Sequence, residues 1–374
     1  MTDPLVEPAA NLARGMDSGP ARDPEDTHDI VVIGTSTGGL DALRRLAGSL
    51  PADYAGTLCV VMHLSAEARS QLPELLGRAG PLPVVRAEDG MALLPGRIHV
   101  APPGQHLLVE RGRLSLVHGP RENRHRPAID PLFRSAAWAY GPRVVGVVLT
   151  GSLDDGTAGL WAIKTCGGTT IVQDPDTARH PEMPLNALMH NRIDYRVPLE
   201  EMGPLLARLA RQPVEVSDPP RPPMSLRDEI EFAKANSDII RTQRLGHPSP
   251  YTCPACGGAL WELEEGGHLR YRCHTGHAYS QATLLLGQDM LVEDSLYSAL
   301  RAVDEKAEAL RRLAERGSDY PSVFKATYGE RAAELDHTAT VLRALLSGHV
   351  RIPYARGTEP ETEPEPEPEP EPPA

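Results

Sequence analysis

The sequence is poor in aromatic residues and has no long hydrophobic run. Aromatics are 4% of the 374 residues, with 3 Phe and 3 Trp, so Leu, Val and Ala must fill the core. No stretch approaches the roughly 18 consecutive apolar residues of a membrane-spanning helix, so we predict no membrane insertion. The first 28 residues lack the basic start and apolar segment of a secretory signal, which predicts a cytoplasmic protein.

Basic residues are fewer than acidic ones, 38 Lys and Arg against 51 Asp and Glu. The formal net charge is −13, and most of it lies at the ends of the chain. Residues 1–28 carry six acids and two bases, and residues 359–371 carry seven Glu and no base, so the part between them is close to neutral. Nucleic-acid binding usually needs a basic face, and we predict no nucleic-acid partner.

Short apolar runs that alternate with helical stretches indicate an α/β domain. Residues 30–33, 57–62, 144–149 and 169–172 are continuous β-branched or apolar runs, which suit strands buried on both faces of a parallel sheet. We therefore predict a doubly wound, mostly parallel sheet, followed by a small ribbon-like module and an α-helical hairpin. The predicted boundaries are a disordered N-terminus (1–28), the α/β domain (29–213), a linker with a short helix (214–248), the ribbon-like module (249–285), the helical hairpin (286–347) and a disordered Pro-Glu tail (348–374).

A glycine-rich turn joins the first predicted strand to a helix. Gly34-Thr35-Ser36-Thr37-Gly38 fits the nucleophile-elbow pattern, in which a serine stands at the end of a strand and the next helix offers free amides to an oxyanion. Two alternatives remain open at this point. Ser36 or Thr37 would serve as a helix cap, or the loop would bind phosphate, although Ser36 replaces the second glycine of the dinucleotide fingerprint.

Further polar residues follow the carboxyl ends of other predicted strands. His63 comes directly after the strand at 57–62, and Asp154 and Asp155 follow the strand at 144–149. In an open parallel sheet these ends form the ligand crevice, so Ser36, a histidine and an aspartate are expected at one edge. Alone, His63 would suit a solvated loop and the aspartate pair a helix cap.

Residues 29–213 closely resemble the catalytic domain of the chemotaxis protein-glutamate methylesterase (CheB) family. The resemblance rests on six segments: IVVIGTSTGG (30–39), VVMH (60–63), APPGQHL (101–107), NRHRPAIDPLF (123–133), VVLTGSLDDG (147–156) and Met183-Pro184. It implies a catalytic triad of Ser36, His63 and Asp155, and favours Asp155 over Asp154. It also implies hydrolysis of methylated glutamates, and deamidation of certain glutamines, on the cytoplasmic domains of chemoreceptors. We expect the Thr37 amide to be an oxyanion donor and no cofactor to be needed for the chemistry.

Four residues, at three sites, depart from the common pattern of the family. Thr35 replaces the usual alanine before the nucleophile, Met62 replaces a frequent glutamine, and Ser152-Leu153 replaces Met-Gly. None removes a member of the triad. The family's phosphoacceptor receiver domain is also expected to be absent, because only 28 residues precede the α/β domain.

The C-terminal third contains a cysteine and histidine cluster. Cys253 and Cys256, then Cys273 and His277, form two close pairs separated by sixteen residues, the spacing of a zinc ribbon. His274 is a rival fourth ligand, but its adjacency to Cys273 favours His277. Four protein ligands leave no open position, so we predict a structural zinc ion. The module resembles the zinc-ribbon extensions of some methylesterase-like domains.

These observations predict a serine hydrolase that demethylates glutamate methyl esters on a chemoreceptor-type protein. The alternative is a non-catalytic adaptor, or one with an altered substrate, that binds an unknown signalling partner through the ribbon and the helical hairpin. In the hairpin, apolar residues recur at spacings of three and four, as expected for two helices packed on each other.

Overall fold

The computed structural model describes residues 27–64, 70–214, 220–316 and 322–348. The strands of this part are β1 (Ile30–Thr35), β2 (Thr57–Met62), β3 (Val84–Arg86), β4 (Arg97–Val100), β5 (His106–Glu110), β6 (Arg113–Val117), β7 (Val144–Val148), β8 (Thr169–Gln173), β9 (Tyr195–Val197), β10 (His247–Thr252), β11 (Ala259–Glu265), β12 (His268–Cys273) and β13 (Ala278–Ser280).

The helices surround the main sheet or follow it in the chain. They are α1 (Gly39–Ser49), α2 (Leu72–Gly77), α3 (Ile129–Tyr140), α4 (Thr157–Thr165), α5 (Glu182–His190), α6 (Leu199–Leu209), α7 (Met224–Ala233), α8 (Ile239–Leu245), α9 (Gln281–Arg316) and α10 (Ser322–Leu346). None of the helices in the described part is long and apolar enough to cross a membrane.

Seven strands form a parallel sheet in the order β3-β4-β2-β1-β7-β8-β9. The four strands predicted from apolar runs are β2, β1, β7 and β8, which lie side by side at its centre. Alternate residues of β1 enter two cores: Val32 packs with α3 and α4, and Val31 and Ile33 pack with α1, α2 and α6. The predicted doubly wound α/β class is confirmed.

Later strands are added on both sides of the central strand β1. It first builds β2, β3 and β4 on one side, and later builds β7, β8 and β9 on the other. In open α/β sheets, this reversal opens a crevice beyond the carboxyl ends of the central strands. Ser36, His63 and Asp155 follow β1, β2 and β7, so the topology brings them to this crevice.

The ribbon-like module is a four-stranded antiparallel sheet, β10-β11-β12-β13. Strands β11 and β12 pair across the turn at 266–267, with Leu260 opposite Cys273 and Glu265 opposite His268. A bridge between Glu122 and Ala278 joins the module to the α/β domain. The two parts of the chain are therefore in direct contact.

The segment predicted as a linker with a short helix contains two helices, α7 and α8. Leu226 and Ile230 of α7 lie in the same core as α3, and Phe232 is fully buried. The segment begins with the proline-rich sequence DPPRPP (218–223), which is typical of an extended linker and gives no sign that the helix after it packs against α3.

The C-terminal helices α9 and α10 form the predicted hairpin. Ala307, Ala332 and Ala339 are buried between them, and the other apolar residues at the spacing of three and four are half-buried. Residues 317–321 lie outside the described residues, as do most of the predicted disordered N-terminus (1–26) and of the predicted tail (349–374).

Candidate active site and metal centre

Ser36 occupies a tight turn between β1 and α1. Its amide donates to the Thr150 carbonyl at 3.1 Å, which ties the turn to the loop after β7. Gly38, just before the helix, has φ = 79°, a left-handed conformation that glycine adopts without steric cost. The strand, turn and helix present the Ser36 hydroxyl at the carboxyl edge of the sheet, as the elbow pattern predicts.

The three predicted triad side chains lie in hydrogen-bonding contact. His63 Nδ1 is 3.1 Å from Ser36 Oγ, and His63 Nε2 is 2.7 Å from Asp155 Oδ2. The His63 amide also donates to the Thr35 carbonyl at 3.1 Å, which fixes the histidine backbone beside the elbow. In the serine-protease template Nε2 faces the serine. Here Nδ1 does, so Nδ1 is the nitrogen placed to accept the hydroxyl proton.

Asp155 is buried in a cage of donors. Besides His63, its carboxylate accepts from the Ile129 amide at 2.7 Å and from Asn123 Nδ2 at 2.9 Å. Burial by itself would raise the pKa of Asp155, but the bonds from His63, Ile129 and Asn123 outweigh burial and hold that pKa below its ordinary value. Asp155 is therefore a fixed anion at the far side of the His63 ring.

The neighbouring Asp154 has a different environment. Its carboxylate accepts from Ser280 Oγ at 2.8 Å, and its side chain is buried. Burial raises the pKa of Asp154 to about 6. Of the two aspartates, Asp155 is the one in contact with His63.

The loop after β7 approaches the nucleophile closely. A side chain at Gly151 would place its Cβ 2.9 Å from Ser36 Cβ and 2.0 Å from Met183 Sδ, so only glycine fits there. Thr37 lies across from this loop, and its carbonyl accepts from Thr150 Oγ1 at 3.1 Å. The oxyanion role of the Thr37 amide stays a prediction.

The departure at Thr35 is accommodated by a hydrogen bond. Thr35 is buried, and its hydroxyl donates to the Thr150 carbonyl at 2.7 Å. The extra polar group is therefore satisfied, and it adds a third bond to the two that already join the elbow to Thr150 in the loop after β7.

An open cavity of about 420 Å³ leads to the serine and the histidine. It is lined by Ser36, His63, Leu64, Arg121, Arg124, His125 and Arg126. The His125 ring stacks on the His63 ring, with centroids 3.6 Å apart and planes 8° from parallel. Burial, together with the repulsion that a protonated His63 ring would exert, lowers the pKa of His125 to about 4. His125 is therefore neutral near pH 7 and covers one face of His63.

The depressed pKa of His125 predicts a loss of stability in mild acid. An unfolded histidine titrates near pH 6.5, so the contribution is complete above that pH and is lost as the pH falls toward 4. The free energy of unfolding should fall between pH 7 and pH 5 in the wild type. In His125→Phe, which keeps a stacking ring, we expect this fall to be smaller by about 1 to 2 kcal/mol. Urea unfolding at both pH values measures this difference, and equal losses in the two proteins would contradict it.

The four predicted metal ligands converge in the ribbon-like module. The ligand atoms of Cys253, Cys256, Cys273 and His277 all lie within 4.8 Å of one another. Cys256 Sγ is 3.8 Å from Cys273 Sγ, and Cys273 Sγ is 3.6 Å from His277 Nδ1. Two zinc–ligand bonds at the tetrahedral angle span about 3.8 Å between sulfurs and about 3.6 Å between sulfur and nitrogen. The residues therefore fit a tetrahedral zinc ion, with His277 rather than His274 in the group.

Metal analysis tests this site. We expect one zinc ion per chain in the purified full-length protein and its loss in Cys273→Ser, because a hydroxyl is a poor zinc ligand. The module should then unfold at a lower temperature. Cys166→Ser is the matched control, since Cys166 is a buried free thiol in the α/β domain. A zinc-free wild-type protein, or full zinc content in Cys273→Ser, would contradict the assignment.

Two residues of the site were not identified from the sequence. Asn123 and His125 both lie in the NRHRP segment on which the resemblance rests, but no role was assigned to either. Their position before α3 gave no strand-end signal. The useful signal was the density of polar side chains in a segment that leads into a buried helix.

Comparison with known proteins gives a consistent picture. Residues 31–206 match the family model described as CheB methylesterase. A Leptospira interrogans protein named for protein-glutamate methylesterase and protein-glutamine glutaminase activity is 35% identical over 189 residues, which cover 50% of this chain and 98% of that protein. An Anaeromyxobacter dehalogenans protein-glutamate methylesterase/protein-glutamine glutaminase is 39% identical over 191 residues, and the chain spans about half (52%) of its length.

One solved structure is also similar to part of this chain. The crystal structure of the Thermotoga maritima CheB methylesterase catalytic domain is 33% identical, with a TM-score of 0.47, and the match covers 48% of this chain and 98% of that one.

Proposed function

Because this chain belongs to the CheB methylesterase family, we propose that it hydrolyses glutamate γ-methyl esters on a chemoreceptor-type signalling protein, and deamidates certain glutamines there. The contact of Ser36, His63 and Asp155 at the sheet edge is the observation that carries the proposal. The contacts run from a nucleophile to a base and from the base to an orienting anion, which is the arrangement needed for acyl transfer.

The geometry suggests the order of steps. Ser36 Oγ attacks the ester carbonyl while His63 Nδ1 accepts its proton, and Asp155 stabilises the resulting imidazolium through Nε2. The Thr37 amide, at the positive end of α1, stabilises the oxyanion. His63 then donates the proton to the departing methoxide, which leaves as methanol. Water activated by His63 attacks the acyl-enzyme and releases the glutamate carboxylate.

The charge of the cavity supports an acidic substrate. Arg121, Arg124 and Arg126 line it together with the nucleophile. A methylated glutamate has no charge of its own, so the arginines would act on carboxylates beside it in the substrate chain. Their attraction should weaken as salt is added.

The ribbon-like module, called the metal-binding module from here on, has a structural role in this proposal. Its four candidate ligands would fill the tetrahedral coordination of a zinc ion, so no position would remain for a reacting water. The exposed faces of α9 and α10 are available to a signalling partner, and the cytoplasm is the expected location.

Methanol release tests the proposed function. The full-length protein should release methanol from an acidic peptide that contains one glutamate γ-methyl ester, and should do so more slowly from a peptide in which lysines replace the flanking acids. Absence of methanol release from both peptides, with the protein folded, would favour the alternative of a non-catalytic adaptor.

A further inference from the structure

The last strand of the metal-binding module passes directly beside the support of the catalytic carboxylate. The Asn123 amide donates to the Ala278 carbonyl at 2.8 Å, and the Ser280 amide donates to Asn123 Oδ1 at 3.0 Å. Both partners belong to β13. Two backbone groups of the module therefore hold Asn123. One bonds to the main chain of Asn123, and the other bonds to its side chain.

The other end of the Asn123 side chain reaches the triad. Its Nδ2 donates to Asp155 Oδ1 at 2.9 Å and to Asp130 Oδ2 at 3.0 Å. The side-chain amide thus uses its oxygen toward the module and its nitrogen toward the two carboxylates. Because Asn123 is only 3% exposed, water does not replace these bonds.

The loop that carries two metal ligands continues into β13. The Cys273 amide donates to the His277 carbonyl at 3.0 Å, and Arg272 donates to the Gly276 carbonyl at 2.7 Å. His277 immediately precedes Ala278, the first residue of β13. A metal that joins Cys273 to His277 would fix the start of this strand.

We propose that Asn123 is a positioning residue for Asp155, and that the metal-binding module holds Asn123 in place through β13. This inference rests on the proposed function of the triad. Asp155 must keep one oxygen on His63 Nε2 throughout the reaction, and the bond from Asn123 to its other oxygen restricts rotation of the carboxylate. Loss of metal releases β13, then Asn123, and then the orientation of Asp155.

The first arm of the test removes the side chain. Asn123 has φ = 49°, which glycine accepts, so Asn123→Gly should fold. A hydrogen bond to a charged group is lost, so we expect kcat to fall about tenfold or more with KM nearly unchanged. Ala235→Gly is the matched control because Ala235 also has a positive φ, of 62°, and lies outside the site. Unchanged kcat in Asn123→Gly, or a change confined to KM, would overturn the positioning role.

The second arm removes the metal from full-length protein with a chelator. Chelation should lower the kcat of the wild type by about the same factor as the Asn123→Gly substitution does. Chelation of the Asn123→Gly variant should lower its kcat by less than about a further twofold, because both changes break the same chain of contacts. Equal fold-losses in the two proteins, or no loss in the wild type, would show that the module does not act through Asn123.

Two readouts separate this proposal from the proposed function. Using p-nitrophenyl acetate as the ester reports the triad independently of the natural substrate. Hydrogen exchange of the Ile129 amide, which donates to Asp155, reports the carboxylate without any turnover. Faster exchange at Ile129 and Ser280 after chelation supports the coupling even if glutamyl esters are not cleaved, and unchanged exchange at both amides overturns it.

Discussion

Ser36→Ala is expected to lower kcat for ester hydrolysis by roughly 10⁴-fold or more while leaving the fold intact, because its hydroxyl is the group proposed to form the acyl-enzyme. His63→Ala should cost a similar factor, since Nδ1 is the nitrogen that faces Ser36 Oγ. The kcat of the double variant should be about equal to that of the slower single variant, because the two side chains act as one unit.

Methanol release and circular dichroism measure these variants. Ser152→Ala is the matched control: it removes a hydroxyl at the same edge of the sheet, where Ser152 Oγ lies 3.4 Å from Thr37 Oγ1. It should stay within about threefold of the wild type. Turnover close to the wild-type rate in Ser36→Ala would refute the assignment of the nucleophile.

The second large effect distinguishes two adjacent aspartates. Asp155→Asn should reduce kcat by about 10⁴-fold, because an amide in contact with Nε2 favours the wrong histidine tautomer and no longer stabilises the imidazolium. Asp154→Asn should cost little activity. Asp154 is bonded to Ser280 Oγ rather than to His63.

A comparison of kcat for the two variants at pH 7, with thermal melts of both, decides between the aspartates. The opposite ranking, with Asp154→Asn the slower enzyme, would transfer the orienting role to Asp154. A lower melting temperature in Asp155→Asn is expected as well, because the Ile129 amide and Asn123 would lose a charged acceptor.

The parts of the fold that were predictable from the sequence depend on local pattern. The central strands are continuous β-branched runs because both faces of a parallel sheet are buried, and β2 begins and ends at the predicted residues, Thr57 and Met62. The edge strands β3 and β9 are only three residues long and gave no such pattern. The ligand cluster was predictable because cysteine pairs at this spacing have few other uses.

The interface between the two parts of the chain was not predictable in this way. Glu229 of α7 is fully buried and meets Arg272 through two bonds of 2.9 and 2.7 Å. It also lies 3.2 Å from Arg270 and 3.4 Å from Arg134. In the sequence each of these looked like an ordinary solvated charge. Their burial depends on the approach of three distant segments, which periodicity does not report.

The buried charge cluster limits how this protein could exchange parts with its relatives. Arg134 and Glu122 come from the α/β domain, Glu229 comes from α7, and Arg270, Arg272 and Glu265 come from the module. The three arginines and three glutamates balance in charge, and all of them except the partly buried Glu265 lie away from water. A graft of the module onto another family member without these partners would bury unpaired arginines, which costs about 3 to 5 kcal/mol. Recombination at the apparent domain boundary is therefore disfavoured, and the module and its catalytic partner are expected to be inherited together.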